Sequence, residues 1–387
     1  MQNSFRKYNL KLAIFLSYRE PSEGGGFTIT DDLLNSIISK YKNKRIIFLL
    51  LNDHKNVLKN KIKKAGFEYY LFNENKFLIK LKSIIFSFFP FLYKLYNKFK
   101  LNHFLNFQKK KHIDLVWFLS AEYYFPLFSK YISTVWDLQH ITHHNFPESG
   151  SFIRRLYREI VIRNFLENSH KIITGSRILI KLMINNYKLS SDKFIYNNHP
   201  TPKIFIDTKK KLIRDNNLKN YFLYPANFWQ HKNHLNLFEG FKKFNTQNKN
   251  KYKLVLVGDI KDQKYFDNIK NKFKKNFEKN FIILNFVKLE YLIELYDNCL
   301  ALIYSSFAGP ENLPPLEAMA RKKPIICSNY PGAKEQLKDV PIYFNPKKAN
   351  SIKIALNKFV KKKIKKKFFK RNTDKYVSKV LSEINYD

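Results

Sequence analysis

Short apolar runs alternate with amphipathic runs along nearly all of this 387-residue chain, and that alternation limits its fold more than any other feature. In the first half the apolar runs are Leu10–Ser17, Arg45–Leu51, Glu68–Phe72, Leu115–Ser120, Thr134–Asp137, Lys171–Thr174 and Phe194–Tyr196. In the second half they are Tyr221–Pro225, Lys253–Val257, Phe281–Asn285, Ala301–Ser305, Pro324–Ser328 and Ile342–Phe344. Strands that read as continuous apolar runs are buried on both faces, as in a parallel sheet whose crossovers are helices. Helical spacing falls between them, at Thr30–Tyr41, Lys55–Ala65, Lys76–Lys109, Phe152–Asn168, Arg177–Tyr187, His234–Asn245, Tyr265–Asn276, Glu290–Asp297, Pro315–Arg321 and Ala349–Val360. The expected class is α/β, with doubly wound sheets.

A chain of this length exceeds one comfortable core and suits two domains of roughly 150–200 residues each. The segment His199–Lys219 is polar, carries two prolines and has no clean period, as expected of a boundary. We therefore expect a first domain over residues 1–200 and a second over 201–365. A C-terminal helical segment, 366–387, is expected to pack back on the first. Two such domains facing across a cleft would bind ligands at the carboxyl ends of their strands.

The formal charge is +40, from 71 Lys and Arg against 31 Asp and Glu. Such an excess attracts polyanions: phosphorylated substrates, anionic lipid or nucleic acid. The lysines are spread along the chain and accompany many Asn, Ile, Phe and Tyr, so codon bias shares responsibility for the excess. The densest run is KKKIKKKFFKR, Lys361–Arg371. Phe77–Phe107 is apolar, aromatic and basic, too short in its apolar part to span a bilayer but suited to an anionic membrane face. The first twenty residues read as a strand rather than a signal peptide. Cys299 and Cys327 sit in apolar runs and read as buried thiols, which fits a reducing cytoplasm.

The stretch Ala301–Glu335 carries the densest information about chemistry. It reads as strand, Gly/Pro loop, helix, strand and Gly turn, with Glu317 in the first turn of a helix announced by Pro314 and Pro315. A helix start after a strand attracts phosphate, and a nearby carboxylate suits a polyol such as ribose. Lys232, at a strand-to-helix turn in YPANFWQHKNH, can neutralise a diphosphate. His140, His143 and His144 lack the cysteine or His-Glu partners of a zinc site. No metal or other cofactor is expected.

The second half resembles the donor-binding domain of retaining glycosyltransferases of family 4, which have the GT-B architecture. The resemblance rests on YPANFWQHKNH, KLVLVGD, NFVKLEYLIELYDNC, SSFAGPENLPPLEAMA and KPIICSNYPGAKE, in that order over about 120 residues. The first half matches more loosely, through EGGGF (Glu23–Phe27) and VWDLQHITHHNFPE (Val135–Glu148).

This resemblance implies transfer of a hexose, mannosyl for preference, from a nucleotide sugar to a glycan or lipid-linked acceptor. The transfer would proceed with retention and without metal, in surface polysaccharide synthesis and on a cytoplasmic or membrane-peripheral protein. It implies that Glu317 binds the ribose, that Lys232 binds phosphate, and that Asn312, Leu313 and Pro314 meet the diphosphate and hexose through backbone. Phe286, Val287 and Leu292 would hold the base, and Gly25 and Gly26 would admit the diphosphate from the other domain. Asp137 or His140 would contact the transferred sugar or the acceptor. Gly309 stands where the family has its first glutamate, so Glu311 or backbone would take that role. Asn227 stands where the family has a phosphate-binding arginine. The alternatives are a GT-B-shaped epimerase or hydrolase, and a non-enzymatic polyanion- or membrane-binding protein; nucleic acid is not an expected partner.

Overall fold

A computed structural model describes residues 10–21, 24–42, 45–51, 53, 55–124, 127–209, 218–277, 279–361 and 368–384. Glu23 and most of the Lys361–Arg371 run, residues 362–367, lie outside them. The chain forms two compact units: Met1–His144 with Gly150–Asn198 and Thr373–Asp387, and Asn145–Ser149 with His199–Asn372.

The first unit holds strands β1 (Leu12–Ser17), β2 (Ile46–Leu51), β3 (Glu68–Phe72), β4 (Leu115–Phe118), β5 (Tyr131–Thr134), β6 (Lys171–Thr174) and β7 (Phe194–Tyr196). They form one parallel sheet in the order β3-β2-β1-β4-β5-β6-β7. The strands β1, β2 and β4 are buried along their whole length, which is why they read as unbroken apolar runs. Aromatic rings fill one face: Phe15 lies 4.6 Å from Phe118, and Phe118 meets Phe165 edge-on at 5.0 Å.

Sequence and structure differ here in three places. The fifth strand lies three residues before the expected Thr134–Asp137. The buried Tyr131, whose hydroxyl donates to Phe165 O at 2.7 Å, belongs to the ladder, whereas Trp136 and Asp137 follow its end. The expected single helical stretch Lys76–Lys109 is three helices, Lys76–Phe88, Pro90–Lys98 and His103–Lys110. Pro90 can only start a helix, and Lys100 has φ 56°, so the chain turns at both points. The first helix runs Gly25–Lys40, so Gly25 and Gly26 form its opening turn rather than a loop before it. The C-terminal helix Thr373–Ile384 packs on this helix, with Ser36 Oγ donating to Asp374 at 2.7 Å and Lys40 2.6 Å from the same carboxylate.

The second unit holds β8 (Tyr221–Pro225), β9 (Lys253–Val257), β10 (Phe281–Leu284), β11 (Ala301–Tyr304), β12 (Ile325–Ser328) and β13 (Ile342–Phe344). Their order is β10-β9-β8-β11-β12-β13, again parallel. Successive strands add in one direction from β8 to β10 and in the other from β11 to β13. The carboxyl ends of β8 and β11 therefore flank a topological switch point, where open α/β sheets leave a crevice for ligands. The buried thiols Cys299 and Cys327 lie in this unit, and burial pushes the Cys299 thiol up to about 12.

Candidate active site

The turn after β8 and the loop after β11 are joined by a chain of hydrogen bonds. Lys232 Nζ donates to Tyr304 Oη at 3.0 Å, and Tyr304 Oη donates to Asn312 Oδ1 at 2.7 Å. Lys232 also sits 5.6 Å from the centre of the Tyr304 ring, a cation–π distance. Its backbone is held as firmly, since the Tyr224 hydroxyl donates to Lys232 O and Ser305 Oγ does so at 3.3 Å. Asn233 turns the chain in the left-handed region at φ 60°, and its amide donates to Ser305 O and Pro346 O. A half-buried ammonium is thus linked, through Tyr304 and Asn312, to the start of the helix that follows the β11 loop.

That helix is Leu313–Ala320, so Glu317 is its fifth residue and lies in the second turn, not the first. The start is set two residues before Pro315 because Gln336 grips Asn312 from both sides. Asn312 N donates to Gln336 Oε1 at 3.0 Å, and Gln336 Nε2 donates to Asn312 O at 2.7 Å. Pro314 and Pro315 have no N–H, which leaves Leu313 as the one donor among the first three helical positions. The Asn312 side chain does not cap the helix; it donates to Gly309 O at 3.0 Å.

Glu317 is 7 % exposed, and its Oε2 accepts the Tyr296 hydroxyl at 2.7 Å. Among the described residues, none donates to Oε1. Burial pushes this carboxyl up to about 7, against the pull of the Tyr296 hydrogen bond. A carboxylate with one oxygen fixed and one unused, one helical turn behind a phosphate-attracting end, is equipped to accept hydrogen bonds from a diol. Tyr296 itself is locked by burial, and its hydroxyl also lies 3.3 Å from Pro314 O.

The other residues singled out in this unit fall into three groups. Phe286 is half exposed, with Val287 and Leu292 half-buried, around the turn that joins β10 to the Leu289–Asn298 helix. Asn227 follows β8, but its Oδ1 accepts Asp259 N at 2.9 Å and so ties the ends of β8 and β9 together. Gly309 has φ 101°, and a Cβ there would come within 2.7 Å of the Asn312 side chain, so a glutamate would not fit the present loop. Glu311 has a different occupation from the one expected. Its side chain is 3 % exposed, with Arg371 Nη1 at 2.9 Å and the His199 amide donating at 3.1 Å. It is held by the segment that leads out of the unit and has no free oxygen edge to offer a sugar.

In the first unit, Gly25 and Gly26 open the Gly25–Lys40 helix after β1. A Cβ on Gly26 would lie 3.2 Å from the Trp136 ring and 3.4 Å from Arg19 Nη1, so side chains of the same unit already occupy the space the glycine leaves. Gly25 is exposed. Asp137 is half-buried, and its Oδ1 accepts Gln139 N at 3.1 Å. The His140 side chain is 1 % exposed and turned inward, with Nε2 3.0 Å from Glu159 Oε2, an oxygen that also accepts the Tyr187 hydroxyl at 2.8 Å. In this structure His140 Nε2 braces the Phe152–Glu167 helix, and its buried Nδ1 has no hydrogen-bond partner among the described residues.

Several residues that shape the site carried no sequence signal. Tyr296, Tyr304 and Gln336 read as ordinary core or helix residues, because their partners lie 8 to 72 positions away. Glu148 ends the motif VWDLQHITHHNFPE, which carries no sign of where its side chain goes. Residues Asn145–Ser149 belong to the second unit, where Glu148 Oε1 accepts the His231 amide at 2.7 Å.

Comparison with known proteins agrees with this layout. Residues 205–376, most of the second unit, match the family described as glycosyl transferases group 1. Over 238 residues the chain is 27 % identical to the O-antigen chain mannosyltransferase RfbU of Salmonella typhimurium strain LT2. The match takes in 60 % of this chain and 61 % of that protein, so it spans about three fifths of its curated relative. A glycosyltransferase from Rickettsia africae ESF-5 superposes with a TM-score of 0.60 at 16 % identity, covering 98 % of this chain and 93 % of that one. Anabaena Alr3699/HepE, solved in complex with UDP and glucose, gives 0.61 at 15 % identity, with 98 % and 96 % covered. At those identities the likeness establishes the fold: two Rossmann-like domains of the kind found in GT-B glycosyltransferases.

Proposed function

We propose that this protein is a glycosyltransferase that moves a hexosyl group from a nucleoside-diphosphate sugar to a glycan or lipid-linked acceptor in surface polysaccharide synthesis. The observation that carries the proposal is the Glu317 carboxylate, fixed by Tyr296 through one oxygen. It lies one helical turn behind the start of the Leu313–Ala320 helix, and Lys232 reaches that start through Tyr304 and Asn312. In this reading Glu317 Oε1 accepts the ribose hydroxyls, Lys232 and the Leu313 amide receive the diphosphate, and Phe286, Val287 and Leu292 flank the base. As the sugar–phosphate bond breaks, charge grows on the leaving diphosphate. A fixed ammonium and a fixed N–H stabilise that charge more than they stabilise the intact donor. Transfer proceeds with retention, the departing phosphate taking the proton of the acceptor hydroxyl, and needs no metal. Asp137 remains a candidate for sugar or acceptor contact. Likeness to a mannosyltransferase favours a mannosyl donor, and the UDP complex of a fold relative keeps uridine donors in the comparison.

The acceptor side also bears on where the protein works. Between Glu74 and Asp114 there are nine lysines and no acidic residue. The Lys76–Phe88 and Pro90–Lys98 helices leave Phe77, Phe88, Phe89 and Phe91 more than half exposed, with Phe99 just beyond. Exposed rings among lysines with no carboxylates suit an anionic bilayer surface, where rings enter the interface and ammonium groups meet lipid phosphates. Among the described residues no helix is long and apolar enough to cross a membrane.

A thermal-shift panel of UDP-, GDP-, ADP- and TDP-sugars tests the donor reading, since a ligand that binds only the folded state raises the melting temperature. One nucleotide series should stabilise the protein and support hexose transfer to an acceptor extract. No stabilisation by any of them at millimolar concentration would remove the proposal.

A further inference from the structure

We infer that Glu148, carried by a five-residue excursion of the chain into the donor-binding unit, is a positioning residue for the phosphate-binding turn at His231–Lys232. The inference rests on the reading of Lys232 given above.

Asn145–Ser149 belongs to the second unit, although the chain on both sides of it belongs to the first. Two side chains anchor it there. Phe146 stacks on Phe307 at 5.6 Å with an interplanar angle of 25°, and meets the His231 ring edge-on at 6.3 Å. Glu148 takes the His231 amide at 2.7 Å and bonds the His231 ring at Nδ1 through the same oxygen. Both partners are more than nine-tenths buried, at 8 % and 9 % side-chain exposure. Burial alone would raise the Glu148 carboxyl, yet the bonds from His231 outweigh it and leave the group below its usual range. The carboxylate is therefore charged in place, and hydrogen bonds to a charged acceptor are the stronger kind.

The remaining atoms of His231 point the same way. His231 O accepts Phe307 N at 2.8 Å and Ser306 Oγ at 3.4 Å, so one residue is gripped by the excursion on its N–H side and by the β11 loop on its carbonyl side. The next residue is Lys232. A side chain that must meet a diphosphate gains from a turn ordered before the ligand arrives, because the ordering cost is then not taken from binding. Glu148 is an acidic anchor on His231 itself, and Asp262 accepts the Gln230 side chain at 3.0 Å one residue earlier.

Full-length protein carrying Glu148→Ala, Glu148→Gln, Lys232→Ala and the Glu148→Ala/Lys232→Ala pair tests this, with two readouts. Hydrogen exchange at the His231 and Phe307 amides reports the turn itself, and titration with UDP and GDP reports the donor site. Glu148→Ala should speed exchange at both amides about tenfold or more and weaken nucleotide binding by about tenfold to a hundredfold, the scale of one charged hydrogen bond. Glu148→Gln keeps an acceptor oxygen for the His231 amide and should fall between Ala and wild type, which also covers the case of an Ala variant that does not fold. The double variant should bind no more weakly than Lys232→Ala, because Glu148 acts through the lysine. Unchanged exchange in Glu148→Ala, or additive losses in the double variant, would overturn the inference. Wild-type affinity in Lys232→Ala alone would instead overturn the donor-site reading, while exchange would still decide whether Glu148 orders the turn.

Discussion

Replacing Glu317 with Gln should separate binding from stability in opposite directions. The side chains are isosteric, so Gln can still accept the Tyr296 hydroxyl that now reaches Oε2 at 2.7 Å. The unused oxygen, however, becomes an NH2 group, a donor where ribose hydroxyls require an acceptor. Loss of a charged hydrogen bond is worth about 1.5–3 kcal/mol, so the nucleotide dissociation constant should rise about tenfold to a hundredfold. Stability should move the other way. Burial raises the folded-state carboxyl from 4.5 to about 7, so the folded protein holds a proton that the unfolded chain gives up. The contribution of this group to wild-type stability therefore declines as pH climbs from about 4.5 to about 7, by about 3 kcal/mol in all, and is level above that. Gln has no such decline. Denaturant titrations should find the variant close to wild type at pH 5 and more stable at pH 8, while calorimetric titration at pH 8 finds weaker nucleotide binding. Wild-type affinity in the variant, or an equal loss of stability at both pH values, would refute the reasoning.

Other outcomes follow from the same geometry. Lys232→Ala should weaken a nucleoside diphosphate by about 1.5–3 kcal/mol while leaving the nucleoside alone nearly unaffected, which parallel titrations will show. Gly309→Ala should cost about 1–3 kcal/mol in denaturant unfolding, because φ 101° and contact with Asn312 exclude a Cβ; Gly309→Glu should not improve activity. Arg371→Ala should destabilise by about 1–3 kcal/mol, because it removes a charged hydrogen-bond donor from Glu311, whose carboxyl burial already pushes up to about 8 and which can therefore protonate when the cation is lost.

The thirteen strands found among the described residues were legible because each parallel strand is covered on both faces and so reads as an apolar block. The exception in position, β5, contains Ser133 and Thr134, whose hydroxyls are buried and bonded within the fold, so its polarity masked its burial. Lys232 and Glu317 stand out in the sequence because the motifs around them hold a fixed order along the chain, and their assignment to the donor site is the proposal made above. Their supports do not stand out, because Tyr296, Tyr304 and Gln336 act through contacts that only the folded sheet creates. His140 and Glu311 show the converse. A histidine in a polar loop does not disclose a glutamate nineteen positions on, nor does a loop glutamate disclose an arginine sixty positions on. A charged side chain in sequence can as readily be half of a buried pair as a group that meets substrate.

A crystal of the full-length protein soaked with GDP or UDP would test the donor site most directly. Phosphate oxygens should lie within hydrogen-bonding distance of Lys232 Nζ and Leu313 N, with the ribose hydroxyls on Glu317 Oε1. Well-occupied nucleotide elsewhere, with Glu317 Oε1 and Lys232 Nζ untouched, would contradict it.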